Sequence, residues 1–396
     1  MSRLPVLISG AGISGPALAQ GLKKRGIPFR LFERDSDITT RAQGYRLRIT
    51  DRGAAAIKEC VPDDLFKKFE STCADMGVGP PKCLNALTGL PDTPWPLMNN
   101  RGRGRPYAAD RSELRQVLLT GLESKVEFDK AVIGFSSSPQ GVRVEFQDGS
   151  FAEGSALVAA DGVHSAISNL GLANRVPLDT QGRSIFGKIP LSERFLESHP
   201  HFSKRSMAII RDTTQGSPVS LLTESMIFQS HPEHESDIPG NYLFWVLTFN
   251  NGDFEVPDET FLKMTPSDCI NLVHKITAKW DTSFNSFFTH GDTLQASLFR
   301  LLTARPNIAT WEASLVTYMG DSVHPMAPTA GIGANTALRD AAVLANCLNE
   351  GVSVRSIKDY EEKMRHYASE AIRTSQIGGE YVFGMQSFDN LLHATM

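Results

Sequence analysis

Three short segments combine glycine with polar side chains, and in the first and third the pattern suits a ligand better than a plain loop. The first is Gly10-Ala11-Gly12-Ile13-Ser14-Gly15. Glycines at this spacing allow a tight turn and let backbone N–H groups approach a pyrophosphate. Glu33, followed by Arg34, puts a carboxylate where a ribose hydroxyl needs an acceptor. The second segment is Ala160-Asp161-Gly162-Val163-His164-Ser165; taken alone it reads as an ordinary Asp-Gly turn. The third runs from Gly320-Asp321 through Pro325, Pro328, Gly331, Ile332, Gly333, Ala334 and Asn335. Its prolines stiffen the chain, and Gly331 and Gly333 let backbone lie close to a flat ligand. A helix starting near Gly333 would turn its positive end towards that ligand.

The elements that must position these segments are legible from periodicity. Residues 4–9 form an apolar run, 13–25 carry Ile13, Ala17, Leu18 and Leu22 at helical spacing, and 27–33 form a second strand. Together they make one βαβ unit. The N-terminus resembles a signal peptide only superficially, because four glycines and Pro16 break its apolar stretch. Short amphipathic helices are expected at 53–60 and 63–70, loops over 76–106, and a helix over 110–122 capped by Asp110 or Ser112. Strands are expected at 126–133, 141–147 and 155–160. From about 180 to 290 strand-like runs dominate (184–189, 206–211, 218–223, 225–229 and 242–249), with a helix near 266–279. A buried strand at 313–319 precedes the third segment, a helix covers 333–349, and the tail 354–390 is mostly helical.

Composition narrows the function classes. The 396 residues carry 40 Lys and Arg against 44 Asp and Glu, a net charge of −4, which disfavours nucleic acid as the main partner. With 41% apolar and 21% charged residues the chain is an ordinary globular one. Its 5 Cys include no CxxC, so neither a disulfide framework nor a structural zinc site is expected. Reduced thiols and the lack of a transmembrane-length apolar run point to the cytoplasm. His231 and His234 have ligand-like spacing but no third ligand nearby, so no metal site is expected. No G-x-S-x-G elbow occurs, which disfavours a serine hydrolase.

Taken in order, the G-x-G-x-x-G with Glu33, the Asp161-Gly162 pair, and Gly320-Asp321 followed by P-x-x-P-x-x-G-x-G-x-N resemble the group A flavoprotein monooxygenases. These have the para-hydroxybenzoate hydroxylase fold, and the likeness is greatest to the salicylate-hydroxylase-like branch. The resemblance implies an α/β chain: a Rossmann-like FAD-binding domain (1–178 and 291–350), an inserted antiparallel-sheet substrate domain (179–290), and a C-terminal helical segment (351–396). It implies bound FAD, NADPH or NADH as a transient co-substrate, and molecular oxygen. The flavin C4a-hydroperoxide would hydroxylate or epoxidise a small aromatic or apolar substrate. Gly10, Gly12, Ser14 and Gly15 would wrap the pyrophosphate, and Glu33 and Arg34 would meet the adenosine ribose. Arg111 would contact FAD, Asp161 would sit near the pyrophosphate, and Asp321 would hold the ribityl chain. Pro328 and Gly331 to Asn335 would lie beside the isoalloxazine ring. Arg46, in Gln43-Gly44-Tyr45-Arg46, falls near the flavin as well.

Candidate catalytic side chains are fewer. The resemblance sets the strand 242–249 over the flavin, so Tyr242 would share a face with Phe244, Val246 and Thr248. Sheet packing is the competing reading of Tyr242. His324 is a candidate proton relay, or a residue kept for its backbone. Arg46 and Arg48 alternate along a strand and would face the flavin, an acidic substrate, or solvent. Two positions depart from the family pattern: Ser168 stands where an arginine is common, and Arg339 where glutamate is. No second G-x-G-x-x-G exists for a nicotinamide cofactor. An FAD reductase or desaturase on the same fold, a dinucleotide-binding pseudoenzyme, and a nicotinamide-only dehydrogenase are the alternatives. A flavin halogenase is disfavoured by the lack of W-x-W-x-I-P. Substrate identity, nicotinamide preference and oligomeric state are not encoded in these motifs.

Overall fold

The computed structural model describes residues 4–38, 45–75, 81–96, 106–172, 176–199, 207–229, 240–254, 256–261, 263–286, 288 and 296–394. Gln43, Gly44, His231, His234 and much of 76–106 lie outside the described residues. In chain order the elements begin β1 (Val6–Ser9), α1 (Ser14–Lys24), β2 (Phe29–Phe32), β3 (Arg46–Ile49), α2 (Asp51–Cys60), α3 (Asp63–Ser71) and β4 (Lys82–Asn85). Next come β5 (Tyr107–Asp110), α4 (Arg111–Leu119), β6 (Val126–Glu127), β7 (Val132–Ser138), β8 (Gly141–Phe146), β9 (Phe151–Gly154), β10 (Ala156–Ala159) and α5 (Ala166–Gly171). The following group is β11 (Leu178–Pro190), α6 (Glu193–Ser198), β12 (Met207–Asp212), β13 (Val219–Met226), β14 (Tyr242–Asn250), α7 (Asp258–Phe261), α8 (Pro266–Ile276) and α9 (Thr282–Asn285). The chain closes with β15 (Ser297–Thr303), β16 (Val316–Tyr318), α10 (Gly333–Leu348), α11 (Val354–Phe383) and β17 (Leu392–His393).

A parallel sheet in the order β16-β10-β1-β2-β6 forms the Rossmann-like core. Every residue of β1 and β10 is buried, as a parallel strand covered on both faces requires. Helices α1, α2 and α10 pack on one another. Gly21 permits the approach of α10, since a Cβ there would lie 2.9 Å from that of Ala345. The antiparallel meander β7-β8-β9 adds Val132, Val144, Phe146 and Ala152 to the same core. The Phe146 ring sits 4.7 Å from that of Phe32, a pair worth about 1 kcal/mol beyond its buried area.

The second sheet runs β15-β11-β14-β13-β12-β4, with β17 on the edge of β11. All its pairings are antiparallel except β12 with β4. Alternation along β14 divides its side chains. Leu243, Trp245, Leu247 and Phe249 enter a core with Cys269, Ile270, Val273 and Ile276 of α8. Tyr242 and Phe244, with Val246 against them, join Phe186, Met226 and Phe228 on the opposite face. The sheet draws β4 and β15 from outside residues 179–290. The two-stranded ribbon β3-β5 lies against its aromatic face through Tyr45 and Ala108.

Several elements differ from the sequence expectation. The helix over 110–122 stops at Leu119, because Thr120 leaves helical geometry and Gly121 takes φ +73°. The strand over 126–133 is broken at Asp129, whose φ is +57°. The strands at 218–223 and 225–229 are one, β13, because no turn residue interrupts the ladder with β14. The stretch read as loops contains β4. The terminal helix ends at Phe383 on Gly384, with φ +70°, and the chain continues into β17.

Candidate active site

The three glycine-bearing segments meet at the carboxyl ends of β1, β10 and β16, the edge at which open α/β sheets bind ligands. Gly10 has φ +106°, and a Cβ there would lie 2.4 Å from the Ala160 carbonyl oxygen. A Cβ on Gly15 would stand 1.9 Å from the Gly10 carbonyl oxygen. Glycine is therefore obligatory at both positions. Gly320, with φ +61°, brings the third segment to 3.3 Å from Ser14 Oγ, measured from the Cβ it lacks. Ser168 Oγ donates to the Ser322 carbonyl at 2.6 Å, and Ser322 Oγ donates to the Ala159 carbonyl at 2.7 Å. Ser168, where an arginine was the family expectation, thus joins the second and third segments by hydrogen bonds rather than by charge.

Neither α1 nor α10 has a side-chain cap, and neither has an acidic residue in its first turn. Helices α2, α4, α5, α6, α8 and α11 are all capped by side chains. The two helices that open at the shared edge keep their positive ends for something else. Glu33 lies beside the first turn. Its Oε2 accepts the Ala11 N–H at 2.9 Å and Arg115 Nη2 at 3.4 Å, and its Oε1 accepts the Asp35 N–H at 3.2 Å. Arg115 also donates to the Ala11 carbonyl at 2.6 Å, so it braces the turn from the far side of Glu33. Arg34 is exposed beside them. Arg111 Nη2 stands 3.9 Å from where a Gly12 Cβ would be, and its guanidinium lies 5.4 Å from the Tyr45 ring centre. Asp161 is half-buried after β10, and Asp321 is exposed at the end of β16.

Asn335 does more than the sequence suggested, and with a different group. Its Oδ1 accepts Thr50 N–H at 2.8 Å and Thr50 Oγ1–H at 3.0 Å. Its Nδ2 donates to the carbonyls of Arg48 at 2.8 Å and Gly331 at 3.0 Å. The amide is a clamp between β3 and the 328–335 turn. Pro328–Ala330 forms a single helical turn ending at Gly331, with φ +66°, and Arg48 Cβ lies 3.9 Å from the Cβ position of Gly331. His324, a candidate proton relay or a residue kept for its backbone, is placed beneath the third segment. The side chain is 1% exposed, with Nε2 2.7 Å from Asp340 Oδ2. Asp340 also accepts the Gly320 N–H at 2.7 Å and the Tyr367 hydroxyl at 2.6 Å. Burial alone would lower the His324 pKa, but the Asp340 carboxylate prevails and raises it above 6.5. His324 holds the third segment in shape from beneath.

Arg111 and Tyr45 lead from this edge to the aromatic face of the second sheet. Tyr242, Phe244, Phe186, Phe228 and Met226 are buried in it, with Tyr45, Leu222, Val246 and Phe299 partly covered beside them. Four charges lie at one side. Arg46 pairs with Glu224, both almost fully buried. Asp110, which caps α4 through the Ser112 N–H at 2.9 Å, accepts the Tyr242 hydroxyl at 2.8 Å and Lys188 Nζ at 2.6 Å. Burial first, and Asp110 second, push the Tyr242 phenol well above its usual 10. Tyr242 therefore stands as a donor to Asp110, within the sheet packing that was the competing reading of this residue. Sequence reasoning missed Lys188, Glu224 and Arg115 and saw Asp110 only as a cap. A charge interrupting an apolar strand was the available signal at Lys188 and Glu224.

The sequence profile described as FAD binding domain matches residues 102–375. The chain belongs to this FAD-binding family. A dual O-methyltransferase/FAD-dependent monooxygenase of Cercospora beticola is 35% identical over 97% of this chain and 47% of its own. The chain thus spans about half the length of that relative. An FAD-dependent monooxygenase of Trichoderma harzianum is 27% identical over 96% of this chain and 93% of its own. A protein of Photorhabdus luminescens, solved as an assigned FAD-containing monooxygenase, superposes with a TM-score of 0.80 at 26% identity, covering 95% of this chain and 98% of its own. A salicylate hydroxylase substrate complex shares the fold, with a TM-score of 0.71 at 20% identity over 96% of this chain and 89% of its own.

FAD is accordingly the cofactor to test against the geometry, and the residues fit it. The glycine cradle at Gly10 and Gly15 admits no Cβ, helices α1 and α10, with neither a side-chain cap nor an acidic first turn, open at one edge, and Arg111 stands near Gly12. Among the described residues no helix is long and apolar enough to cross a membrane.

Proposed function

We propose that this chain is an FAD-dependent monooxygenase that uses NADPH or NADH and molecular oxygen to hydroxylate or epoxidise a small aromatic or apolar substrate. One observation carries the reading: a three-part glycine cradle at the parallel sheet edge is linked through Arg111 and Tyr45 to the aromatic face of a second sheet. In this reading Gly10, Gly12, Ser14 and Gly15 hold the pyrophosphate and Glu33 and Arg34 the adenosine ribose. Arg111, Asp161 and Asp321 hold the linking chain, and Pro328 with Gly331–Asn335 flanks the ring. Bound FAD would supply the redox chemistry of hydride and oxygen there. The chain's own part is to orient the substrate on Phe186, Phe244 and Phe299 and to exclude water there. Residues 1–178 and 291–350 would hold the cofactor, 179–290 with β4 and β15 the substrate, and 351–396 would brace both. The joining of an O-methyltransferase to the monooxygenase in the Cercospora relative supports a hydroxyl-bearing substrate. Five free thiols suit a reducing compartment, the cytoplasm in our reading.

The test is anaerobic bleaching of the flavin bands by NADPH across a panel of phenols, indoles and prenylated aromatics. One compound accelerating bleaching, followed by oxygen-18 from labelled oxygen in its product, is the expected result. Turnover without label would move the chain to the reductase or desaturase reading. Flavin retention without any acceleration would favour the pseudoenzyme.

A further inference from the structure

We propose that Lys188 selects the substrate by binding an ionised phenolic oxygen, with the ring lying on the aromatic face beside it. The inference rests on the function proposed above for the ligand being a substrate, and on this structure for the residue. Lys188 follows Ser184 and Phe186 along the face of β11 that looks towards the ribbon β3-β5. Of the four charged side chains gathered there it alone keeps real access. It is 17% exposed, against 2% for Asp110, 8% for Arg46 and 6% for Glu224.

Its partner can spare it. Asp110 receives the Tyr242 hydroxyl at Oδ2 and the Ser112 N–H at Oδ1, and it sits at the positive end of α4. That carboxylate stays compensated if the ammonium turns to a second anion. Lys188 has three donors. Among the described residues Asp110 is the one acceptor it reaches within hydrogen-bond distance, and Nζ lies 4.3 Å from the Tyr242 ring centre. Across the sheet Lys188 is in register with Phe244, and Phe186 precedes it by two on the same face of β11; both rings belong to the aromatic cluster. A cation at the rim of such a wall matches a flat ring bearing one anionic atom.

The chemistry favours a phenolate over a carboxylate. A carboxylate is best met by a two-pronged guanidinium, and the nearby Arg46 is committed to Glu224. An ammonium is a point charge suited to a single oxygen. Binding takes the phenolate from solution and leaves the proton with bulk water. An ionised oxygen on the ring also raises the electron density that oxygen transfer requires.

The probe is para-nitrophenol, titrated into the FAD-loaded protein about one pH unit below the probe's own pKa. Each point is read as a difference spectrum against the sum of the same protein without probe and the same probe without protein. The expected result is a nitrophenolate band on binding. In Lys188→Met this band vanishes and affinity falls about 10- to 100-fold, the worth of a hydrogen bond to a charged group. Lys188→Arg, which keeps the positive charge, should retain the band. Para-nitrobenzoate and nitrobenzene should bind weakly to all three proteins. Flavin content, read in the same cuvette, should not change with the substitutions; its loss would count against the FAD assignment and not against Lys188. No nitrophenolate band with the wild-type protein, a band that survives in Lys188→Met, or para-nitrobenzoate binding as tightly as para-nitrophenol would each overturn the proposal.

Discussion

Asp110 shows how much one carboxylate can organise. It ends β5, caps α4, and reaches across to Lys188 and Tyr242 on the second sheet. Removing the donor in Tyr242→Phe should cost about 1 kcal/mol of stability while Asp110 keeps its other two partners. Because burial and Asp110 raise the Tyr242 phenol far above 10, pH profiles of wild type and Tyr242→Phe should share the same limbs below pH 10. A limb that disappears with the hydroxyl would restore Tyr242 as an acid or base. Asp321 belongs to the same scale. Asp321→Ala should weaken FAD binding about 10- to 100-fold in a fluorescence titration, the range for a lost charge-assisted hydrogen bond. Unchanged affinity would contradict the reading of the third segment. His324 gives a prediction in pH. Its folded pKa is raised above 6.5, so the pair with Asp340 stabilises the protein fully below pH 6.5. That contribution fades as pH rises through the folded value. In Asp340→Asn, chemical denaturation should show this slope flattened.

At the scale of elements, the turn beside the expected flavin ring is held from two directions. Asn335 ties it to β3, and the long helix α11 presses on it from behind. Thr329 Oγ1 donates to the Ser375 carbonyl at 2.7 Å, and Ser375 Oγ donates to the Ala327 carbonyl. Gly378 is the contact point, since a Cβ there would stand 3.0 Å from Thr329 Cβ. Gly378→Ala should therefore displace the Pro328–Gly331 turn, lower FAD affinity several-fold, and shift the flavin absorbance maxima. Overpacking of this kind costs about 1–3 kcal/mol. Wild-type spectra and affinity would mean that α11 does not set the turn.

At the scale of the molecule, the ribbon β3-β5 is tied to the second sheet by charged bridges, Arg46 to Glu224 and Lys188 to Asp110. A ligand held by three segments of the native fold has no equivalent site in the unfolded chain. Added FAD should accordingly stabilise by about 2.7 kcal/mol at a hundredfold excess over Kd. The check is a Tm that climbs with free FAD, and that climbs less in Asp321→Ala. A Tm indifferent to FAD would separate the chain from its family's cofactor.

The local motifs were readable because they depend on neighbours in sequence. Gly10 and Gly15 must be glycine for a turn that closes on itself, and the first βαβ unit follows from periodicity over some 30 residues. A dinucleotide-binding βαβ unit was therefore readable from local sequence, while the fold class and FAD came from the resemblance carried by the three motifs together. The positions of β4 and β15 in the second sheet did not, because strand pairing between distant segments leaves no local periodic signature. His324 and Tyr242 were candidates by residue type and position; their pairing with Asp340 and Asp110 appears only in the tertiary structure. Lys188 and Glu224 passed as stray charges in apolar strands. They acquire meaning only where the second sheet sets Glu224 against Arg46 and Lys188 against Asp110. The energy of a buried charge depends on what lies within a few ångströms of it, and for these residues every such neighbour is remote in sequence.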